Sequence, residues 1–259
     1  MIEKVLIKIG GRAFENTDGL MHLAKAIKKI NEVGFLIVHG GGREISQVLK
    51  KSDRDSVFID GLRVTSATDI KIIENVLSEK INRRIASVFN QLDVNAKRMF
   101  GNKNGIFLVE PMRKNGYELG FVGKIVKVNP ESVEKVLENK KVPIISPVSA
   151  DIHGKSYNVN ADAAAAALAA KIKCRDLIYF TDVDGVQIGG KKISELSVNE
   201  AEKLISRGII KDGMVAKLIS VFEALKGGVK NIHIAKWQGM NSLQEIIENR
   251  RTIGTTIYR

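Results

Sequence analysis

Apolar residues along this chain follow two repeating patterns. Residues 4–9, 35–38 and 176–180 are short, nearly continuous apolar runs, which are typical of strands buried on both faces. Residues 18–33 instead place apolar side chains three and four positions apart, which is typical of a helix with one buried face. The two patterns alternate along most of the chain, so the sequence predicts repeated strand–helix units.

The predicted elements follow one another in a regular order. Strands are predicted over residues 4–9, 35–38, 142–148, 176–180 and 230–235. Helices are predicted over residues 18–33, 43–51, 67–91, 130–139, 160–171, 198–207, 213–226 and 241–248. Residues 93–128 indicate short strands with turns at 102–105 and 114–116. Because crossovers between parallel strands are right-handed, this order predicts an α/β three-layer sandwich, with a central mainly parallel sheet covered by helices on both faces.

The composition of the 259-residue chain fits a globular protein of one large domain or two lobes. No apolar run is long enough to span a membrane, no signal peptide precedes the first strand, and Cys174 is the single cysteine. These features predict a cytoplasmic protein without a membrane anchor. The net charge of +12 is compatible with nucleic-acid binding, but the spread of the lysines and an aromatic content of 5% favour solubility and attraction of small anionic substrates.

Two glycine-rich turns follow directly on predicted strands, at residues 8–11 (Lys-Ile-Gly-Gly) and 39–42 (His-Gly-Gly-Gly). Glycine lets backbone N–H groups approach an anion closely, and the helix-like segment after each turn adds a favourable dipole. Neither turn has the spacing of a P-loop or of a dinucleotide-binding fingerprint, and each alone also fits an ordinary tight turn. Because both lie at the carboxyl ends of strands, together they predict two anionic groups held near each other, with Lys8 placed to offset their charge.

Several other polar residues are candidates for the same site. Asn158 and Asp162 flank the start of a predicted helix, where Asp162 either stabilises the helix dipole or orients lysines while Asn158 binds a substrate. Lys217 lies near the start of another helix, where its charge is unfavourable, and this indicates a role beyond stability. Arg63, in a loop beside a glycine, has the fork that binds a carboxylate, although such an arginine is also often simply solvated. His39 either orients its glycine turn or has a structural role, and no metal-binding pattern is present.

Taken together, these segments resemble the amino-acid kinase family over essentially the whole chain. Within that family the chain is most similar to the branch that phosphorylates N-acetyl-L-glutamate. The order and spacing of the matching segments carry the resemblance, because no single segment is specific. The matching segments are residues 8–11, 39–42, 60–65, 157–162, 181–185, 212–217 and 253–257.

The resemblance implies the family's fold and a reaction in which ATP, with Mg²⁺, phosphorylates the side-chain carboxylate of N-acetyl-L-glutamate. The product would be an acyl phosphate, in the second step of the acetylated route to arginine. It implies that Lys8 and Lys217 stabilise the transferring phosphoryl group and that Asp162 organises the two lysines. Substrate binding is implied for Gly40, Gly41, Gly42, Arg63 and Asn158, with Arg63 on the α-carboxylate and Asn158 on the N-acetylated part. Nucleotide binding is implied for Gly10, Gly11, Thr181, Asp182, Val183, Gly185, Gly213 and Met214.

The resemblance also implies an N-terminal acyl-substrate lobe over about residues 1–170 and a C-terminal nucleotide lobe over about residues 171–259. Arginine-inhibited hexameric members of the family carry an extra N-terminal helix, and only a few residues precede the first predicted strand here. A homodimer without arginine feedback inhibition is therefore expected.

Three alternatives stay open at the level of the sequence. Arg12 follows the first glycine turn, and related kinases whose substrate is attached to an acidic carrier protein can have arginine there. The charge of +12 would suit such a carrier. A sensor that binds nucleotide or amino acid without catalysis and a basic nucleic-acid-binding module are the non-enzyme alternatives. Retention of Lys8, Asp162 and Lys217 argues against the sensor.

Overall fold

The computed structural model describes residues 2–114 and 116–259, with the backbone alone at Asp212. Its strands are β1 (Glu3–Ile9), β2 (Val33–His39), β3 (Phe58–Ile59), β4 (Leu62–Arg63), β5 (Ala96–Phe100), β6 (Phe107–Lys114), β7 (Tyr117–Val128), β8 (Val142–Ser146), β9 (Ser149–Ala150), β10 (Ser156–Tyr157), β11 (Asp176–Thr181), β12 (Gln187–Ile188), β13 (Lys191–Lys192), β14 (Glu195–Ser197), β15 (Asn231–Lys236) and β16 (Thr255–Tyr258). Its α-helices are α1 (Thr17–Lys29), α2 (Gly42–Lys51), α3 (Ala67–Glu74), α4 (Asn82–Gln91), α5 (Glu131–Glu138), α6 (Ala161–Ile172), α7 (Val198–Ser206), α8 (Asp212–Lys226) and α9 (Asn241–Ile247). The predicted strands and helices are present with shifts at the ends, except that the helix predicted over residues 67–91 is divided into α3 and α4 by a π-helical segment.

The main sheet has eight strands in the order β14-β16-β15-β11-β1-β2-β8-β5. All neighbours pair in parallel except β15 and β16, so the predicted mainly parallel sheet is confirmed. The central strands β1, β2 and β11 carry long buried apolar runs because helices cover both of their faces. Smaller sheets, β10-β9-β6-β7, β3-β4 and β12-β13, lie outside it.

Two apolar clusters fill the spaces between the sheet and the helices on its two faces. One includes Leu20 of α1, Phe89 of α4 and Leu243 of α9. The other includes Leu168 of α6 and Leu218 of α8. Since each cluster also contains residues of the sheet, helices lie on both faces and the predicted three-layer architecture is confirmed. Among the described residues, no helix has the length and apolar content needed to cross a membrane.

The parallel register brings the predicted polar turns to one edge of the sheet. Lys8 of β1 is level with Val38 of β2 and with Tyr179 of β11. The glycine turns after β1 and β2 and the polar turn after β11 therefore leave the sheet side by side, as the sequence predicts. Strands of the two predicted lobes occupy opposite halves of this one sheet, joined where β1 pairs with β11. The division into lobes itself stays a prediction.

The long helix predicted over residues 67–91 contains a change of winding. Ser66 caps α3 with a complete capping box, but Asn75–Ile81 is a π-helical turn between α3 and α4. The wider turn places Leu77, Ser78 and Ile81 in the interior, and the Ser78 hydroxyl lies 3.0 Å from that of Ser146. Apolar spacing alone predicted a regular helix, because it does not report the winding.

Short strands over residues 93–128 are confirmed as β5, β6 and β7. Of the predicted turn at 114–116, residue 115 lies outside the described residues. The strand predicted over 142–148 ends at Ser146, and a separate short strand, β9, follows. Seven further strands were not predicted, because most of them have only two or three residues and show no measurable apolar period. They are β3, β4, β10, β12, β13, β14 and β16.

A buried ion cluster lies at the other end of the parallel strands, where β11 and β15 begin. Asp176, at the start of β11, is fully buried and lies 2.6 Å from Arg175 Nε, 2.9 Å from Asn231 Nδ2, 3.3 Å from Arg250 Nη1 and 3.7 Å from His233 Nε2. Burial disfavours the charged carboxylate, but the neighbouring His233 and the hydrogen bonds from Asn231 and Arg175 outweigh it and hold the pKa of Asp176 well below its usual range. The cluster thus joins β11, β15 and the segment before β16.

Replacing this carboxylate should destabilise the fold in a pH-dependent way. Asp176→Asn should lower the free energy of unfolding by about 3 kcal/mol at neutral pH, because its buried partners lose their counter-charge. A depressed folded-state pKa gives stability that is present above the unfolded carboxyl pKa of about 4 and is lost as the pH falls towards the folded value. The difference in unfolding free energy between the wild type and Asp176→Asn should therefore shrink in acid. Urea unfolding at neutral pH and at about pH 3 measures this difference. Glu138→Gln, at an exposed carboxylate, is the control, and a deficit of equal size at both pH values would contradict the prediction.

Candidate active site

Two lysines share one carboxylate at the edge where the glycine turns meet. Lys8 Nζ lies 2.8 Å from Asp162 Oδ1, and Lys217 Nζ lies 2.5 Å from Asp162 Oδ2. The three side chains are 10–15% exposed, so the cluster is shielded but reachable. Both ammonium groups are therefore held by a single anion, each on a different oxygen.

Each member of this cluster comes from a different element. Lys8 is the next-to-last residue of β1, and Lys217 lies in the second turn of α8. Asp162 is the second residue of α6, where the Asn160 side chain accepts hydrogen bonds from the backbone N–H groups of Asp162 and Ala163. Because Asn160 caps the helix, the Asp162 carboxylate is available to the lysines.

Charge pairing dominates the ionisation of the cluster. Burial opposes the charged form of Asp162, but Lys8 and Lys217 outweigh it and hold the pKa of Asp162 well below its usual range. Burial lowers the pKa of Lys217, and the neighbouring carboxylate partly offsets this. The Tyr179 ring, 5.0 Å from Lys217 Nζ, gives this ammonium a further favourable contact.

A cavity of about 230 Å³ lies beside the cluster and gathers most of the predicted site residues. Its walls include Lys8, Gly10, Gly11, Gly40, Gly41, Gly42, Arg63, Asn158 and Asp162. The two glycine turns thus face the same space as Lys8 and Asp162, whereas Lys217 contacts Asp162 from outside the wall. A side chain at position 10 would crowd the Lys8 ammonium, since a Cβ there would lie 2.8 Å from Nζ.

Arg63 lies in strand β4 of a short hairpin rather than in a loop, and it is only 6% exposed. Its guanidinium donates to Ser56 Oγ, to Gly42 O at 2.8 Å and to Ser46 Oγ at 2.9 Å. The guanidinium also lies over the Phe58 ring, 4.6 Å from its centroid. The partners that hold it in place are therefore neutral.

The charge of Arg63 is not matched by a carboxylate within the described part of the chain. Asp69, whose charge acts on Arg63 from a distance, forms its ion pair with Arg54. Burial accordingly lowers the pKa of Arg63 from its ordinary value. A buried, positioned cation that faces a cavity without its own anion is suited to bind an anionic ligand.

Asn158 lines the same cavity as Arg63 and is linked to it by hydrogen bonds through Thr65. Its side-chain amide donates to Thr65 Oγ1 at 3.2 Å, and the Thr65 hydroxyl donates to the Arg63 carbonyl at 2.9 Å. One hydrogen of the Asn158 amide and its carbonyl oxygen remain for a ligand.

The residues predicted to border a nucleotide are spread more widely. Asp182 lies against the first glycine turn, where its Oδ1 accepts the Arg12 backbone N–H at 2.8 Å. Thr181 is half-buried at the end of β11, and Val183 is exposed. Gly185 packs against Thr255. Nucleotide contact by these residues stays a prediction.

The last two nucleotide candidates lie on α8. Gly213 is exposed near its start, and Met214 is half-buried against an apolar cluster. The structure does not place either of them on the wall of the 230 Å³ cavity. Their contact with a nucleotide also stays a prediction.

Sequence reasoning missed the residues that support the site from behind. Ser46, Ser56 and Phe58 hold Arg63, and Asn82 contacts His39 at the second glycine turn. These are common residue types without a motif, so only their positions in the fold reveal them. For the part of the chain that is described, no three His, Cys, Asp or Glu side chains gather as ligands for a metal ion.

The chain is similar to known proteins over almost its full length. Residues 3–236 match the model of the amino acid kinase family. An acetylglutamate kinase from Caldanaerobacter subterraneus subsp. tengcongensis is 40% identical over 98% of this chain and 86% of its own length. An acetylglutamate kinase from Archaeoglobus fulgidus is 36% identical over 98% of this chain and 92% of its own length.

A solved structure agrees with these relatives. The crystal structure of smu.665 from Streptococcus mutans superposes with a TM-score of 0.86 at 26% identity, covering 100% of this chain and 99% of that one. Fold, site geometry and relatives lead to the same assignment. The chain belongs to the amino acid kinase family.

Proposed function

We propose that this chain is a kinase that transfers the γ-phosphoryl group of ATP to the side-chain carboxylate of N-acetyl-L-glutamate. The products are N-acetyl-L-glutamyl phosphate and ADP, in the second step of the acetylated route to arginine. The observation that carries the proposal is the pairing of Lys8 and Lys217 on Asp162 beside the glycine-lined cavity. The full-length similarity to acetylglutamate kinases supports the choice of substrate.

The reaction needs charge neutralisation more than proton transfer. A carboxylate oxygen of the substrate attacks the γ-phosphorus and forms a new P–O bond. The bond between the γ-phosphorus and the β,γ-bridging oxygen breaks, and its electron pair leaves with ADP. The carboxylate is already ionised at neutral pH, so no general base is required. Lys8 and Lys217 offset the negative charge that the two reactants bring together.

The glycine turns and Arg63 orient the reactants. Backbone N–H groups of Gly10, Gly11, Gly41 and Gly42 donate to phosphate and acyl oxygens. The prediction is wrong for the Gly40 N–H, which donates to the Ile9 carbonyl oxygen at 3.0 Å. Arg63 binds the α-carboxylate of the substrate, which supplies the anion that this buried guanidinium lacks in the described chain. Asn158 binds the N-acetylated part with the donor and acceptor that its contact with Thr65 leaves over.

ATP is the expected phosphoryl donor, as in the kinases of this family. Residues 181, 182, 183, 185, 213 and 214 would border it. Mg²⁺ bound with the nucleotide would neutralise phosphate charge, and phosphate oxygens and water would hold it. The described lining of the cavity fits this, because its carboxylate, Asp162, is already paired with two lysines and is not free to bind the ion. We also propose a homodimer and a cytoplasmic location for the enzyme.

Trapping the acyl phosphate tests the activity directly. With ATP and hydroxylamine, N-acetyl-L-glutamate should yield a hydroxamate, whereas L-glutamate, L-aspartate and N-acetyl-L-aspartate should yield little. Two results would contradict the proposal: turnover of L-glutamate without turnover of N-acetyl-L-glutamate, or turnover only with a substrate attached to a carrier protein.

Removing either lysine should slow turnover far more than it weakens substrate binding. Lys8→Ala and Lys217→Ala should each lower kcat by at least about 100-fold, because each ammonium acts on charge that develops in the transition state. Steady-state kinetics of hydroxamate formation measure kcat and KM separately. Lys171→Ala, at an exposed lysine of α6, is the matched control. Unchanged turnover in either variant would refute the role given to that lysine.

Replacing the Arg63 guanidinium by an ammonium should weaken binding of N-acetyl-L-glutamate. Arg63→Lys keeps the charge but loses the paired donors, so KM for this substrate should rise by about 10-fold or more. The kcat value should change much less, because the α-carboxylate does not react. Arg83→Lys, at an exposed position on α4, is the control. A fall in kcat at unchanged KM would show that Arg63 acts on the phosphoryl group instead.

A further inference from the structure

His39 joins the second glycine turn to a buried polar network. It is the last residue of β2, directly before the turn, and it is 1% exposed. Its Nδ1 lies 3.0 Å from the Gly40 carbonyl oxygen, and its Nε2 lies 3.2 Å from Asn82 Nδ2. Both ring nitrogens are therefore engaged, one by the turn and one by helix α4.

The partners decide where the imidazole carries its proton. A carbonyl oxygen only accepts, so Nδ1 must donate to Gly40. The Asn82 amide nitrogen also faces the carbonyl oxygens of Ile144 at 2.8 Å and Met99 at 3.3 Å, while its oxygen accepts from Arg98 Nε at 3.2 Å. The two amide hydrogens serve three acceptors, so one donates to Ile144 and the other is shared between Met99 and His39 Nε2. Because Nδ1 carries the proton of the neutral ring, Nε2 accepts and carries none.

A second proton on the ring would disrupt this arrangement. A proton on Nε2 would point at the N–H of Asn82, so two donors would face each other without an acceptor, and the ring is buried. Burial, the largest effect, lowers the pKa of His39 to about 4 despite the hydrogen bond to Gly40. The ring is neutral at physiological pH, so His39 holds its neighbours by hydrogen bonding rather than by charge.

The contact with Gly40 fixes the orientation of a whole peptide group. The Gly40 carbonyl and the Gly41 N–H belong to one planar unit and point in opposite directions. Holding the carbonyl towards His39 therefore turns the Gly41 N–H away from it. Leu77 and Ile81 restrain the same peptide from the π-helical segment, because a Cβ added at Gly41 would collide with both of them.

We infer that His39 is a positioning residue, which holds the Gly40–Gly41 peptide through Nδ1 so that the Gly41 N–H faces the reacting oxygens in the cavity. The inference rests on the proposed function, because the oxygens that the Gly41 N–H would bind are those of the reactants in phosphoryl transfer. Asn82 supports it by fixing the tautomer of the ring. His39 touches neither reactant and acts only through the turn.

Two substitutions separate the two ring nitrogens. In His39→Asn, the side-chain amide nitrogen can take the place of Nδ1 and donate to Gly40, while the contact with Asn82 is lost. In His39→Gln, the longer side chain can reach Asn82, while Gly40 loses its donor. We expect His39→Gln to lower kcat roughly 10- to 100-fold with little change in KM for N-acetyl-L-glutamate. His39→Asn should retain kcat within about 3-fold of the wild type.

Hydroxamate trapping with the full chain measures these values, with thermal unfolding to confirm folding. His22→Asn and His22→Gln, at an exposed histidine of α1, are matched controls that should match the wild type. Equal kcat in the two His39 variants, whether high or low, would overturn the inference. A wild-type chain without activity towards N-acetyl-L-glutamate would instead contradict the proposed function.

The tautomer provides a readout that needs no variant. In the ¹⁵N spectrum of the wild-type imidazole at neutral pH, Nδ1 of His39 should carry the proton and Nε2 should not. A neutral ring protonated at Nε2, or a ring charged at neutral pH, would overturn the inference even if the variants did not fold.

Discussion

The ion pairing of Asp162 with Lys8 and Lys217 is the interaction on which the site depends. Two ammonium groups brought this close would repel each other, and burial would favour loss of a proton from at least one of them. A single carboxylate between them offsets this repulsion and sets the positions of both ammonium groups. Because the three residues come from β1, α6 and α8, the pairing also joins elements that are distant in the chain.

The cavity beside this cluster has a surplus of positive charge. Lys8, Arg63 and Asp162 line it, and Lys217 lies behind the wall on the second oxygen of Asp162. Among these four described residues, three carry a positive charge and one a negative charge. Two reactants that are both strongly negative fit such a site, since their mutual repulsion is the main electrostatic barrier to their reaction. The neutral partners of Arg63 leave its charge available for a ligand, which a carboxylate partner would have consumed.

Much of this arrangement could be predicted from the chain. The apolar runs of β1, β2 and β11 and the glycine turns that follow them were sufficient to predict a parallel sheet with an anion site at its carboxyl edge. Lys8, Asp162, Arg63 and Asn158 were candidates from residue type and local setting, and the resemblance to a kinase family gave them roles. The nucleotide residues are different, because residues 181–185, 213 and 214 lie in turns and at a helix start whose contacts depend on a ligand.

By itself, the sequence determined the order of the helices and of the longer strands, and the chemistry available at each turn, because apolar period, glycine and charge are local properties of the chain. Only the tertiary structure decided that Asp162 reaches both lysines, that Arg63 is buried without a carboxylate, and that Asn82 meets His39 behind the second glycine turn. These contacts join residues 43 to 154 positions apart or depend on the surroundings of a buried side chain. Packing of the helices against the sheet sets such distances, and no pattern along the chain encodes them locally.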